Sequence, residues 1–367
     1  MIREAGVPGV SITVIKDFRI HWTLTAGVAD QHSGRAVTPA TLFQAASLSK
    51  PVKAVPTAVL AEQGKLDLDE DIGRYLRTWQ LPRRAAKGGS VITPRMLLSH
   101  TSGLTDDLGF PGYRTDEPLP DLVNILNGTP PAKTAAVGAA LPPMRQSRYS
   151  GGGSVVMQLL LMDLTQRSFP ELMRLSLLEP LGMTRSNFQQ PLSPSLQNSA
   201  AMAHDANGRR LNDPWRTYPE LAAAGLWSTS GDLAVLVSAL QRAAAGGVVE
   251  PLSRNLVRDL LRPVGVGSFA TGFNVFQQGE GWYFAHMGSN QGYRSFAIAH
   301  QTRGYGLVVM TNGEGGEPLI ERICRRIQEA YTWDVMETAG QFRFGAPRVS
   351  GCLPAFGPAQ SRPAAAG

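Results

Sequence analysis

Cysteine is nearly missing from this chain: two in 367 residues, at 324 and 352. Two thiols can make at most one bridge, so a small disulfide-stapled fold is excluded, and a chain of this length buries a core without staples. Lysine is scarce as well. The six are at 16, 50, 53, 65, 87 and 133, so arginine supplies most of the net charge of +6. The basic residues are dispersed as singles and pairs such as Arg83-Arg84 and Arg209-Arg210. A basic stripe with interleaved aromatics is absent, which argues against a nucleic-acid partner and leaves at most a mild attraction for anionic substrates. The six histidines, at 21, 32, 100, 204, 286 and 300, form no His-x-x-x-His pair, and nothing implies a metal or another cofactor. The run Asp67-Leu68-Asp69-Glu70-Asp71-Ile72-Gly73 places its glycine one position late for a calcium loop, and its twelfth position is Thr78. Long apolar runs are missing too. Val155–Leu164 is broken by Gln158 and Asp163, so no membrane span is expected. Met1-Ile2-Arg3-Glu4-Ala5-Gly6 has no apolar signal region. As it stands the chain reads as cytoplasmic, or as periplasmic or secreted if its N-terminus has been trimmed.

What is present is ordinary globular patterning. Val10–Lys16 and Ile20–Ala26 alternate as a β-hairpin. Ser47 to Gly64 reads as a helix with Val52, Val55, Val59 and Leu60 on one face. Helices follow at Arg95–His100 behind Thr93-Pro94, at Ser154–Gln166, at Pro170–Leu178 and at Ser230–Ala245. Thr271–Gln277, Gly281–His286, Arg294–His300 and Gly304–Met310 read as successive antiparallel strands, closed by a helix over Pro318–Trp333. Strands at both ends and helices between them predict an α/β (α+β) fold, an antiparallel sheet flanked by helices with a mostly helical insertion. The expected division is an α/β domain of residues 1–75 and 225–340, an insertion of 76–224, and a flexible tail of 341–367. Gly103 to Pro120, carrying Phe110, Pro111 and Tyr113, reads as a long loop and a candidate cleft lip.

Three clusters carry chemistry. Ser47-Leu48-Ser49-Lys50 stands at a helix head, where residues three apart share a face. A serine hydroxyl there lies near the positive end of the helix dipole, and a desolvated lysine can take its proton. Arg148-Tyr149-Ser150-Gly151-Gly152-Gly153 is a glycine-rich turn before a helix, able to hold a tyrosine hydroxyl exposed. Phe284-Ala285-His286-Met287-Gly288-Ser289-Asn290 lies at a strand end, where glycine allows close approach to the backbone and a substrate carbonyl could lie against the strand, accepting from a main-chain N–H. Lys53, three residues after Lys50, could help lower that amine's pKa, but reads first as a solvated lysine.

Taken together, Ser47-x-x-Lys50, Tyr149-x-Gly151 and His286-x-Gly288 resemble the three motifs of the serine β-lactamase and penicillin-binding-protein superfamily. The similarity is to the class C-like branch with its D-Ala-D-Ala carboxypeptidases, D-aminopeptidases and related esterases. Leu97–Leu104, Pro180–Thr184 and Gly225–Leu233 resemble that branch as well. The resemblance implies acyl-enzyme chemistry: Ser47 as nucleophile, Lys50 as its base, and Tyr149 as proton shuttle. It implies an oxyanion hole from the backbone N–H groups of Ser47 and Ser289. Gly151, His286, Gly288 and Asn290 would line the substrate.

Two departures bear on specificity. Gly151 stands where β-lactamases of this branch carry an asparagine that reads the substrate's side-chain amide. His286 stands where lysine is usual, which predicts carboxylate recognition that weakens above neutral pH. The favoured reading is a serine hydrolase of small carboxylic esters or amides. β-Lactamase, D-amino-acid peptidase, transacylase and slowly deacylating β-lactam-binding module are the alternatives. The expected partner is a small-molecule ester, amide or β-lactam.

Overall fold

The computed structural model describes residues 2, 4–82, 91–105, 109–139, 141–279 and 281–333. The expected tail and Cys352 lie outside the described residues. Cys324 is buried on the closing helix.

The centre is a seven-stranded antiparallel sheet in the order β3-β2-β1-β11-β10-β9-β8. Its strands are β1 (Gly9–Lys16), β2 (Arg19–Asp30), β3 (Arg35–Ala36), β8 (Asn274–Gln278), β9 (Gly281–Asn290), β10 (Tyr293–His300) and β11 (Gly306–Thr311). Two short ladders lie outside it: β4 (Phe43–Gln44) with β7 (Trp227–Ser228), and β5 (Leu104–Thr105) with β6 (Gly138–Ala139). The first and last strands of the chain meet in the middle, with Val10 opposite Thr311 and Ile15 opposite Gly306.

Alternation explains the two faces. Leu307 and Val309 of β11 pack with Val10, Ile12 and Val14 against Leu319, Ile320, Ile323 and Cys324 of α10 (Gly316–Tyr331). Val308 and Met310 point the other way, into the core shared with α1 (Ser49–Glu62) and α8 (Ser230–Ala244). The hydroxyls of Ser11 and Thr13 on that second face are satisfied by Ser230, at 2.7 and 2.8 Å.

Between the sheet's two halves of sequence lie α2 (Pro94–Leu98), α3 (Leu122–Asn127), α4 (Gly151–Thr165), α5 (Phe169–Met173), α6 (Pro194–Gln197) and α7 (Leu221–Ala224). After α8 comes α9 (Arg254–Leu260). No helix among the described residues is long and apolar enough to cross a membrane.

Three differences from the sequence expectation concern the cleft. Strand β9 runs four residues past His286, to Asn290, because β10 continues to pair with it up to a two-residue turn. Helix α4 begins at Gly151 rather than Ser154. The Ser150 side chain accepts from the Gly153 N–H at 2.9 Å and caps three glycines of low intrinsic propensity. Tyr113 does not belong to an open lip: it is 1% exposed and exchanges two main-chain hydrogen bonds of 2.8 Å with Thr217.

Candidate active site

Ser47 sits in a single 3-10 turn, Ala46–Leu48, that leads into α1. Ala46 has φ +52°, a left-handed value that is strained for a residue with a β-carbon. The neighbours compel it. Ala45 donates to the carbonyl of Leu226 (2.8 Å), and its own carbonyl accepts from the Ser295 hydroxyl (2.7 Å). Ser49 donates to the Ala46 carbonyl (2.6 Å) and accepts from the Leu226 N–H (3.0 Å). The turn is thus clamped between β10 and the segment entering β7, and Ser47 is left half-exposed.

Lys50 is 3% exposed. Its Nζ lies 3.0 Å from Ser47 Oγ and donates to the main-chain carbonyl of Ala223 at 2.9 Å. Ala223 belongs to α7, the short helix packed on α1. The same Nζ stands over the ring of Tyr149, 4.8 Å from its centroid. The structure therefore gathers Ser47, Lys50 and Tyr149 in one place.

Tyr149 precedes the cap of α4. Its ring packs at 4.3 Å on His100, at 5.9 Å on Phe269 and at 6.3 Å on His286, centroid to centroid. Sequence reasoning missed His100 and Phe269 as parts of this wall. The stretch Leu97–Leu104 was the available signal for the first. His100 adopts φ +58° and its Nδ1 accepts from the Ser150 N–H at 3.1 Å. It thereby fixes the turn that presents Tyr149.

Strand β9 closes the other side. Residues Gly281–Ala285 pair with β8, but His286–Asn290 run beyond it, so this stretch has a free edge. Asn290 faces Tyr293 across the two-residue turn, which puts the exchanged hydrogen bonds on that pair and on Gly288–Ser295. The N–H and carbonyl of Ser289 then project from the free edge. Gly288 lets the nucleophile turn approach: a β-carbon there would stand 2.3 Å from the Ala45 carbonyl and 2.2 Å from Ser295 Oγ.

Two expected roles change. Asn290 has its side-chain amide engaged inside the protein. It is 5% exposed, and its amide donates to Gln44 Oε1 (2.7 Å) and the Ala224 carbonyl (3.1 Å), tying the strand end to α7. His286 is not a pH-dependent cation near neutrality. It is 3% exposed, and burial, followed by the charge of Lys50, pushes its pKa down to about 3. Its Nδ1 lies 2.7 Å from the Met287 carbonyl and so must donate, which leaves a lone pair on Nε2. Nε2 is buried without a hydrogen-bond partner among the described residues. Gly151 is buried in the first turn of α4 and contributes no side chain.

Fold and cleft define the β-lactamase-like serine hydrolase superfamily. The chain belongs to the Beta-lactamase family, which matches residues 1–331. Protein flp of Staphylococcus aureus (strain MRSA252) is 23% identical over 325 residues, covering 85% of this chain and 60% of that protein. The chain thus spans about three fifths of that relative's length. Among solved structures, the octameric penicillin-binding protein homologue from Pyrococcus abyssi matches with a TM-score of 0.73 at 22% identity, over 92% of this chain and 76% of that one. The D-alanine carboxypeptidase AmpC from Burkholderia cenocepacia matches with a TM-score of 0.67 at 18% identity, over 85% and 90%. At these identities the structural likeness speaks for the fold.

Proposed function

We propose that the protein hydrolyses small carboxylic esters or amides through an acyl-enzyme on Ser47. The observation that carries this reading is the 3.0 Å contact between Ser47 Oγ and Lys50 Nζ, with Lys50 anchored on Ala223. Lys50 takes the hydroxyl proton while Oγ bonds to the substrate carbonyl carbon. The oxyanion that forms is met by the N–H groups of Ser47 and Ser289, each such donor being worth about 100- to 1000-fold in turnover. The proton then passes through Tyr149 to the leaving group as its bond to carbon breaks. Water attacks the acyl-serine by the reverse route.

A neutral His286 favours esters with uncharged leaving groups over substrates that need a cation for their carboxylate. The D-alanine carboxypeptidase among the fold neighbours keeps a D-amino-acid peptidase as the second reading. Hydrolysis of p-nitrophenyl butyrate beside a D-alanyl-D-alanine peptide and a chromogenic cephalosporin, with Ser47→Ala as control, separates them. Ester turnover lost in Ser47→Ala supports the esterase. Cephalosporin turnover of comparable efficiency overturns it in favour of a β-lactamase.

A further inference from the structure

Lys53 has no part in the chemistry above, and its place contradicts the solvated reading. It is 1% exposed, three residues past Lys50 on the inward side of α1. Its Nζ lies 2.9 Å from Oγ of Ser154, which is itself fully buried. Ser154 stands in the first turn of α4, five residues after Tyr149. The contact therefore joins the helix that carries Lys50 to the helix whose entrance carries Tyr149.

The groups that share its electrostatic surroundings are all bases: Lys50 on its own helix, His100 from the turn after α2, and His286 on β9. No carboxylate is among them. An ammonium brings three donors, and here one hydroxyl answers them among the described residues. Burial, and then the charge of Lys50, hold the amine well below the usual lysine range. A free amine can accept from the Ser154 hydroxyl. It also adds no second charge when Lys50 takes the proton of Ser47.

We propose that Lys53 is a positioning residue whose amine, bonded to Ser154, sets the spacing between the Ser47–Lys50 pair and Tyr149. The inference rests on the acyl-serine reading. Misplacing a reacting group by about 1 Å can cost on the order of 100-fold in rate, and losing one strut costs a part of that.

The test uses the full chain with Lys53→Met, Ser154→Ala and the double variant. kcat and KM for p-nitrophenyl butyrate are measured across pH, and Ser47 is labelled with a fluorophosphonate probe. Each single variant should lower kcat about 10-fold and leave KM within about twofold. The double variant should be no worse than the worse single, because both remove the same bond. The midpoints of the pH profile should stay in place. Ser154→Ala removes one oxygen, and a melting curve shows that it folds even if Lys53→Met does not. Unchanged kcat in Ser154→Ala, or strict additivity, would overturn the proposal. A displaced acid limb in Lys53→Met would also overturn it and make Lys53 a proton carrier. A wild-type chain that the probe leaves unlabelled would sink the acyl-serine reading instead.

Discussion

Gly288 and the carbonyl of Ala45 stand so close that a β-carbon on the glycine would meet the oxygen at 2.3 Å. This contact brings the outer edge of β9 up to the nucleophile turn. One main chain holds Ser47, the other Ser289, and a side chain between them would force them apart.

Gly288→Ala should therefore disable the enzyme before it unfolds it. Real β-carbons essentially never stand that close to another atom, so β9 or the turn must shift. The expected outcome is a kcat/KM loss of about 100-fold or more, the size of losing an oxyanion donor. The melting temperature should fall by only a few degrees, for a cost of about 1–3 kcal/mol. Wild-type turnover in this variant would show that the two chains are not held as described.

Lys50→Met should abolish turnover while leaving the fold intact. Its amine bridges Ser47 and Ala223, and methionine fills much of the same volume. A loss on the order of 1000-fold or more in kcat is expected when one member of a nucleophile–base unit is removed. Steady-state assays beside circular dichroism check it.

Acid should destabilise the protein partly through His286. Its folded pKa of about 3 lies below the ordinary 6.5, so between those values the unfolded chain binds more protons. Stability from this residue is complete above pH 6.5 and is lost as pH falls, at about 1.4 kcal/mol per pH unit. Burial also drives His100 well below its ordinary value, with the same sign. His286→Gln should flatten the decline of melting temperature from pH 6.5 to 4.5. The preference for anionic over neutral esters should not change between pH 6 and 8.

Glu220 gives the opposite trend. It is fully buried beside α7, neither carboxyl oxygen has a hydrogen-bond partner among the described residues, and burial raises its pKa to about 7. The folded chain then binds more protons between pH 4.5 and 7, so this residue's contribution falls as pH rises through that window. Glu220→Gln should stabilise the protein at pH 8, by about 3 kcal/mol from the raised pKa. The gain should be small at pH 5. Denaturant melts at the two values decide it.

The Ser47, Tyr149 and His286 clusters and the strand–helix–strand order were legible because each is local: spacing, alternation and turn residues all lie within a few positions. Burial was not legible, because distant segments impose it. Lys53 looks like any surface lysine until Ser154, about a hundred residues on, closes over it. His286 reads as a switch until Tyr149 and Phe269 pack around it and remove its water. Asn290 reads as a cleft residue until Gln44 and Ala224 take both of its donors. Strand β9 seemed to end at His286 because glycine and polar residues follow, and only its pairing with β10 carries it on.

The anchor of Lys50 is a main-chain carbonyl, supplied by Ala223 from a run of alanines. A peptide oxygen is blind to the identity of its own side chain, so ordinary point substitutions in 222–224 leave the acceptor chemically unchanged. What can remove it is a change in the path of the backbone. A library built around this cleft should therefore keep residues 219–226 at constant length and free of new prolines, and spare the buried Ala222, Ala223, Gly225 and Leu226 from larger side chains.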